Sequence, residues 1–107
     1  MALYAGIDCG TQGTKVVIVD DQHGTILGSG SAPHALISDA SGRREQQAEW
    51  WITALKEAFH QAVAAAGIDP AQIAALAVSG QQHGFVALDE AGEVLHTVKL
   101  WLSLIHI

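Results

Sequence analysis

The stretch LYAGIDCGTQGTKVVIVD, residues 3–20, decides the fold. Leu3 to Ile7 is a short apolar run that ends at Asp8, which is typical of a buried strand. A turn with two glycines follows. Lys15 to Val19 is rich in β-branched residues, which favour a strand over a helix. The stretch therefore predicts two strands joined by a tight glycine turn.

The following segments extend this start into an α/β order. Thr25 to Gly30 predicts a third strand after a second turn, so the opening is a three-stranded antiparallel meander. Apolar residues at spacings of three and four predict one amphipathic helix from Ala48 to Ala66, closed by Gly67. Ile73 to Ser79 predicts a strand that the crossover helix places parallel to the first.

Three further expectations concern the segments around this frame. Pro33 to Arg44 shows no apolar periodicity and predicts a loop. Phe85 to Leu88 and Val94 to Leu100 flank an Asp-Glu-Ala-Gly turn and predict a hairpin. The helical stripe that we expect to face the core consists of Trp51, Leu55, Phe59, Ala62, Val63 and Ala66.

The composition argues against several classes of protein. The 107 residues leave room for one small domain. A net charge of −6 without a Lys/Arg cluster is unsuited to nucleic acid or an anionic membrane surface. Cys9 is the only cysteine, and the six histidines lack paired helical spacing, so neither a disulfide nor a zinc site is expected. No apolar run reaches the roughly 18 residues of a membrane span, and we expect a cytoplasmic protein.

Residues 8–15 form the first candidate site. A carboxylate at a strand end, followed by two glycines, lets backbone N–H groups approach a phosphate. Asp8 suits a magnesium ion held through water, and neutral donors follow it in the turn. An ordinary glycine hairpin in which Asp8 sets the turn accounts for the same residues. The two best-known phosphate loops, the Gly-Lys-Ser/Thr loop and the dinucleotide fingerprint, are absent from the sequence.

Four segments, in order along the chain, resemble one family. Residues 6–15, GIDCGTQGTK, resemble the first phosphate motif of the carbohydrate kinases related to glycerol kinase, gluconokinase and xylulokinase. Glu45-Gln46 with Trp50-Trp51 resembles the opening of their first long helix. Residues 80–84, GQQHG, resemble a sugar-contacting loop in its xylulokinase form. Lys99-Leu100-Trp101 resembles the segment after the next hairpin.

This resemblance implies part of an actin-like (ribonuclease H-like) ATPase lobe, in a kinase that phosphorylates a sugar hydroxyl with ATP and Mg²⁺. It implies that Asp8 lies near the metal, and that Gln82 and His83 hydrogen-bond xylulose or a related pentulose. Without the resemblance, a plain loop histidine would be the favoured explanation of His83. The residues implied to bind the ATP phosphates are Asp8, Gly10, Thr11, Gln12, Gly13 and Thr14.

The resemblance also implies a division of the chain. We expect residues 1–101 to be an incomplete N-terminal lobe, and residues 102–107, which continue no family motif, to be a non-native tail. The family's general base and adenosine-binding motifs lie further downstream, so we expect no catalytic residue here and an inactive isolated chain. Two alternatives stay open: another actin-like ATPase, or a noncatalytic binding module with the same topology. The oligomeric state is not predicted.

Overall fold

The computed structural model describes residues 2–81 and 85–100. The main sheet has four strands in the order β3-β2-β1-β6, and β4, β5 and β7 form a smaller sheet. The elements are β1 Leu3–Cys9, β2 Gly13–Asp20, β3 Ile26–Pro33, β4 Ile37–Ser38, β5 Arg44–Gln46, α1 Ala48–Ala66, β6 Ile73–Gly80 and β7 Val98–Lys99.

The main sheet confirms the predicted topology. β1 pairs antiparallel with β2, and β2 pairs antiparallel with β3, so the meander is present. β1 pairs parallel with β6, with Asp8 opposite Ser79. All four strands end later than predicted. Backbone pairing with the neighbouring strand continues past the apolar residues on which the prediction relied. The parallel pairing of β1 with β6 brings the carboxyl ends of both strands to the same edge of the sheet.

Helix α1 covers one face of this sheet and has the predicted bounds. Its first residue follows Gln47, whose side chain makes no capping hydrogen bond, and Gly67 closes it in the left-handed conformation, at a φ of 67°. The face in closest contact with the sheet differs from the predicted stripe. Its fully buried residues are Ala54, Ala58 and Ala62, whereas Leu55 and Phe59 are only partly buried.

Close backbone packing explains this alanine line. A Cβ atom at Gly30 of β3 would lie 2.2 Å from the Ala58 carbonyl oxygen, and one at Gly28 would lie 2.6 Å from the Ala62 carbonyl oxygen. The backbones of α1 and β3 are therefore nearly in contact. Only alanine on the helix and glycine on the strand leave room for this approach.

The smaller sheet corrects the predicted loop. Ile37–Ser38 and Arg44–Gln46 pair within the segment around residues 33–44, and β5 also pairs with β7. The predicted hairpin is present only as two isolated bridges, Phe85 with Lys99 and Leu88 with Val94. These strands span only two or three residues each, which is too short for periodicity to reveal them, and the partner of β5 in β7 lies far away in the chain.

One face of β6 carries apolar side chains beyond the reach of α1. Leu76 and Val78 lie opposite Ala5 and Ile7 of β1, on the face that α1 covers elsewhere. Leu76 is nevertheless 58% exposed and Val78 62% exposed. Because β6 is an edge strand of the sheet, as β3 is on the other side, the β6 side presents both an apolar surface and an open edge.

An ion cluster around Glu45 holds β5 to the segment that contains β7. The Glu45 carboxylate is buried and lies 2.9 Å from Arg43 Nε and 3.2 Å from Lys99 Nζ. The Thr97 hydroxyl donates to the same carboxylate. The hydrogen bond from Arg43 is the main cause that lowers the pKa of Glu45 from 4.5 to about 2, and the Thr97 and Lys99 contacts add to it against the effect of burial.

This pKa predicts an acid-dependent loss of stability. Because the folded-state pKa lies below the ordinary value, the stabilisation is present above pH 4.5 and is lost as the pH falls towards 2. Urea unfolding of Glu45→Gln should show a lower free energy of unfolding than the parent chain near neutral pH, and the difference should shrink across this range. Glu90→Gln, in the exposed turn, is the matched control. A difference that does not vary with pH would contradict the assignment.

Candidate functional site

Asp8 stands at the carboxyl end of β1, exposed, on the sheet face away from α1. Alternation along the strand places it there, because Ile7 before it is buried under the helix. Its Oδ1 accepts a hydrogen bond of 3.2 Å from the Ser79 hydroxyl on β6. The neighbouring parallel strand thus orients the carboxylate, and among the hydrogen bonds of residues 2–81 and 85–100 none involves its Oδ2.

The predicted phosphate turn connects β1 to β2. Gly10 N–H donates to the Gly13 carbonyl at 2.9 Å, which closes the turn. The N–H groups of Thr11 and Gln12 form no hydrogen bond with any of residues 2–81 or 85–100. Two adjacent N–H donors at the tip of a turn suit an anion such as a phosphate.

The two glycines of the turn have different structural roles. A Cβ atom at Gly13 would lie 2.8 Å from the Ala32 carbonyl oxygen of β3, so glycine is required there by the sheet itself. At Gly10 the nearest atom to such a Cβ is 3.4 Å away, an ordinary contact. The protein alone therefore does not require glycine at position 10, whereas close approach of a ligand to the backbone would.

The structure separates Thr14 from the other predicted phosphate ligands. Its side chain is 1% exposed and lies on the face that α1 covers, with its hydroxyl 3.4 Å from His34 Nε2. Burial lowers the pKa of His34, and the Thr11 carbonyl partly offsets this shift. A neutral His34 therefore lies beneath the turn, and the Thr14 hydroxyl points into the core rather than towards the tip.

The β6 end of the site is joined directly to the turn. Gln81 N–H donates to the Cys9 carbonyl at 3.1 Å, and the Thr11 hydroxyl donates to Gln81 Oε1 at 3.1 Å. The predicted sugar-contacting residues Gln82 and His83 follow Gln81 but lie outside the described residues. Gln81 belongs to the GQQHG segment quoted above, but the sequence analysis did not include it among the candidate site residues.

Lys15 belongs to the candidate segment 8–15, but the sequence analysis gave it no role of its own. It is exposed and lies directly opposite Asp8 in the β1–β2 pairing, so both side chains occupy the same face. Together with Gly6, Val17, Ala77 and Ser79 they line a shallow groove of about 380 Å³. The groove thus contains one carboxylate and one ammonium group. The alternation of side chains along the two predicted strands could have placed them on the same face.

The donor set around Asp8 fits a magnesium ion shared with a ligand. Within residues 2–81 and 85–100, no three His, Cys, Asp or Glu side chains cluster in a way that could hold a metal. Mg²⁺ bound with phosphates commonly takes only one or two carboxylates and keeps several waters. A single exposed carboxylate at the edge of the sheet matches that arrangement, and it does not match a metal cage built from protein ligands alone.

Comparison with known proteins identifies the family. The N-terminal domain of the FGGY family of carbohydrate kinases matches residues 3–104. The chain belongs to this family. It is 45% identical over 103 residues to the xylulose kinase of Haemophilus influenzae, covering 92% of this chain and 21% of that relative. A xylulose kinase sequence from an Arthrobacter species is 45% identical over 101 residues, with 94% of each chain covered.

Solved structures agree with the expected fold. A xylulose kinase from Bifidobacterium adolescentis superposes with a TM-score of 0.74 at 37% identity, covering 94% of this chain and 18% of that one. A gluconate kinase from Lactobacillus acidophilus superposes with a TM-score of 0.83 at 29% identity, covering 94% and 20%. The chain has the mixed α/β, actin-like ATPase fold of FGGY kinases, a family that uses ATP, and spans about a fifth of the length of these full-length relatives.

Proposed function

We propose that this chain forms the N-terminal part of a xylulose kinase, which transfers a phosphoryl group from MgATP to a hydroxyl of xylulose. The observation that carries the proposal is the meeting of Asp8, the glycine turn and Gln81 at one edge of the sheet. Parallel pairing of β1 with β6 produces this meeting. Transfer from a nucleotide to a bound hydroxyl requires both sites to face one cleft.

On this proposal the ATP phosphates bind at the glycine turn. The Thr11 and Gln12 N–H groups donate to phosphate oxygens, and Gly10 lets the phosphates approach the backbone. Asp8 would hold Mg²⁺ through water, and the ion, when bound, would neutralise charge on the transferring phosphoryl group. Lys15 across the strand pair adds a positive charge to the same face.

The sugar binds beside this turn, at Gln82 and His83. An amide and an imidazole offer both donors and acceptors, which a polyol requires. Xylulose is favoured over other sugars because several relatives at 30–45% identity are xylulose kinases. Gln81, the residue that precedes this pair, supports the assignment because its side chain accepts a hydrogen bond from Thr11 of the turn.

The remaining parts of the kinase are assigned to the rest of a longer protein. The chain spans about a fifth of its full-length relatives, and the exposed Leu76 and Val78 face is suited to burial by additional structure. We place the general base and the adenosine site in that remainder. Asp8 is not assigned as the base, because its position beside the phosphate turn suits the metal.

We also place the enzyme in the cytoplasm. None of the helices within residues 2–81 and 85–100 is both long and apolar enough to span a membrane. Cys9 is the only cysteine of the chain, which is consistent with a reducing compartment.

An assay of ADP release tests the proposed function. The complete protein, given MgATP and a panel of ketoses, aldoses and polyols, should release ADP at the highest rate with xylulose. The 107-residue chain alone should show no sugar-dependent release, because it lacks groups that act in the transition state. Sugar-independent ATP hydrolysis by the complete protein would instead favour another actin-like ATPase. Sugar-dependent turnover by the isolated chain would refute the placement of the base.

The two glycines of the turn provide a test of phosphate binding. In the complete protein, Gly10→Ala should weaken MgATP binding by roughly tenfold, because the added methyl group displaces a phosphate by steric contact. Its thermal stability should hardly change. Gly13→Ala is the matched variant and should cost about 1–3 kcal/mol of folding free energy through the clash with Ala32. Calorimetry measures both quantities, and undiminished ATP affinity of Gly10→Ala would contradict the assignment.

A further inference from the structure

The side chain of Gln46 lies fully buried at the centre of a polar network. Its Nε2 donates to the Thr11 carbonyl at 2.7 Å and to the Ala35 carbonyl at 2.8 Å, and lies 3.2 Å from His34 Nδ1. Its Oε1 accepts from Trp51 Nε1 at 2.8 Å and from Gln81 Nε2 at 3.1 Å. Every hydrogen-bonding group of this amide is therefore used.

The chemistry of these partners fixes the orientation of two amides in succession. The Trp51 indole can only donate, and the Thr11 and Ala35 carbonyls can only accept, so Gln46 must present Oε1 to Trp51 and Nε2 to the carbonyls. Gln81 must then direct its Nε2 towards Gln46. Its own Oε1 is left to accept the Thr11 hydroxyl. Gln46 thus determines which atom of Gln81 faces the phosphate turn.

The network joins parts of the molecule that the main sheet does not join. Gln46 ends β5 in the smaller sheet, whereas Thr11 and Gln81 follow β1 and β6 of the main sheet. Thr11 is held at its carbonyl by Gln46 and at its hydroxyl by Gln81. A buried, fully satisfied polar network of this kind favours one arrangement of its members, since any slip leaves a buried polar group unpaired.

We propose that Gln46 is a positioning residue for phosphoryl transfer. Through Gln81 it holds the phosphate turn in a fixed place relative to the start of the sugar-contacting residues. This inference rests on the proposed function. Gln46 itself is buried and makes its contacts with protein groups, so it acts on the geometry of transfer rather than on the reacting atoms.

Three variants of the complete kinase test the proposal. Gln46→Leu fills a similar volume without the amide. Gln81→Met removes the same link from the other side, and because Gln81 is less buried, this variant provides the test if Gln46→Leu does not fold. Each should lower kcat by roughly tenfold or more, with smaller changes in the KM for ATP and xylulose, since misplacement of reactants mainly affects the transfer step. Trp51→Phe removes one donor to Gln46, but the Thr11 and Ala35 carbonyls still orient the amide and the Thr11–Gln81 link is kept, so its kcat should fall less than that of the other two variants.

Hydrogen exchange in the absence of substrates gives a readout independent of activity. Gln46→Leu and Gln81→Met should speed exchange at the backbone amides of Gly10, His34 and Gln81, which donate to the Gly13, Gln12 and Cys9 carbonyls, more than Trp51→Phe does. If the first two variants match Trp51→Phe in both exchange and kcat, Gln46 is only a structural residue and the proposal is overturned. A parent protein with the expected exchange pattern but without sugar phosphorylation would instead overturn the proposed function, and with it the catalytic meaning of the network.

Discussion

Replacement of Asp8 with Asn in the complete kinase is expected to lower kcat by roughly two orders of magnitude or more, because one preorganised electrostatic contact is often worth about 3 kcal/mol in the transition state. Asparagine keeps the size of the side chain and can still accept the hydrogen bond from Ser79. The substitution removes only the charge that we propose positions Mg²⁺. The KM for the sugar should change little. Steady-state kinetics at saturating Mg²⁺ provides the measurement.

Two further variants show whether the effect belongs to this carboxylate. Asp21→Asn removes a charge in the exposed turn at the opposite end of the sheet and should leave kcat unchanged. Ser79→Ala removes the orienting hydrogen bond but keeps the charge, so its effect should be smaller than that of Asp8→Asn. If Asp8→Asn left kcat unchanged and raised the KM for the sugar, the assignment of Asp8 to the metal would be wrong.

Gly30→Ala is expected to cause the largest loss of stability. The added methyl group would meet the Ala58 carbonyl oxygen at 2.2 Å and Ala62 N at 2.8 Å, and both are backbone atoms that cannot rotate away. Helix α1 would have to move off β3, at a cost of about 3 kcal/mol or more, beyond the usual range for overpacking. Because domains are stable by only about 5–15 kcal/mol, such a loss leaves little margin for folding.

Chemical denaturation of the chain measures this effect. Ser29→Ala lies next to Gly30, on the exposed side of the same strand, and should change the free energy of unfolding by less than about 0.5 kcal/mol. Either a large shift of the transition or its complete loss in Gly30→Ala agrees with the packing described above. A shift as small as that of Ser29→Ala would show that α1 and β3 are further apart than the structure places them.

The local parts of the fold were predictable from the sequence. Apolar and β-branched runs revealed β1, β2 and β6, and helical periodicity with Gly67 gave both ends of α1. Chain order then implied the parallel pairing of β1 and β6, which determines the position of Asp8. These features depend on short-range patterns and on general rules of chain connection.

The remaining parts depend on contacts between distant residues. The alanine line of α1 follows from Gly28 and Gly30 of β3, and no periodicity within the helix distinguishes Ala58 from its larger neighbours. Glu45 and Gln46 are polar, yet they are buried because ion-pair and amide partners surround them. The buried hydroxyl of Thr14 likewise follows from the register of β2. The boundary predicted at residue 101 and the roles of Gln82 and His83 lie outside the described residues and stay predictions.

On the proposed function, the turn after Asp8 and the residues after Gln81 belong to one site for phosphoryl transfer to a sugar. Product analysis by phosphorus NMR, with the complete protein, MgATP and xylulose, is the most direct test of this shared site. A sugar phosphomonoester signal should grow in equal amount with ADP, and the rate for Asp8→Asn should be lower by the expected factor. Formation of ADP and free phosphate without a sugar phosphate, whatever sugar is supplied, would contradict the shared site.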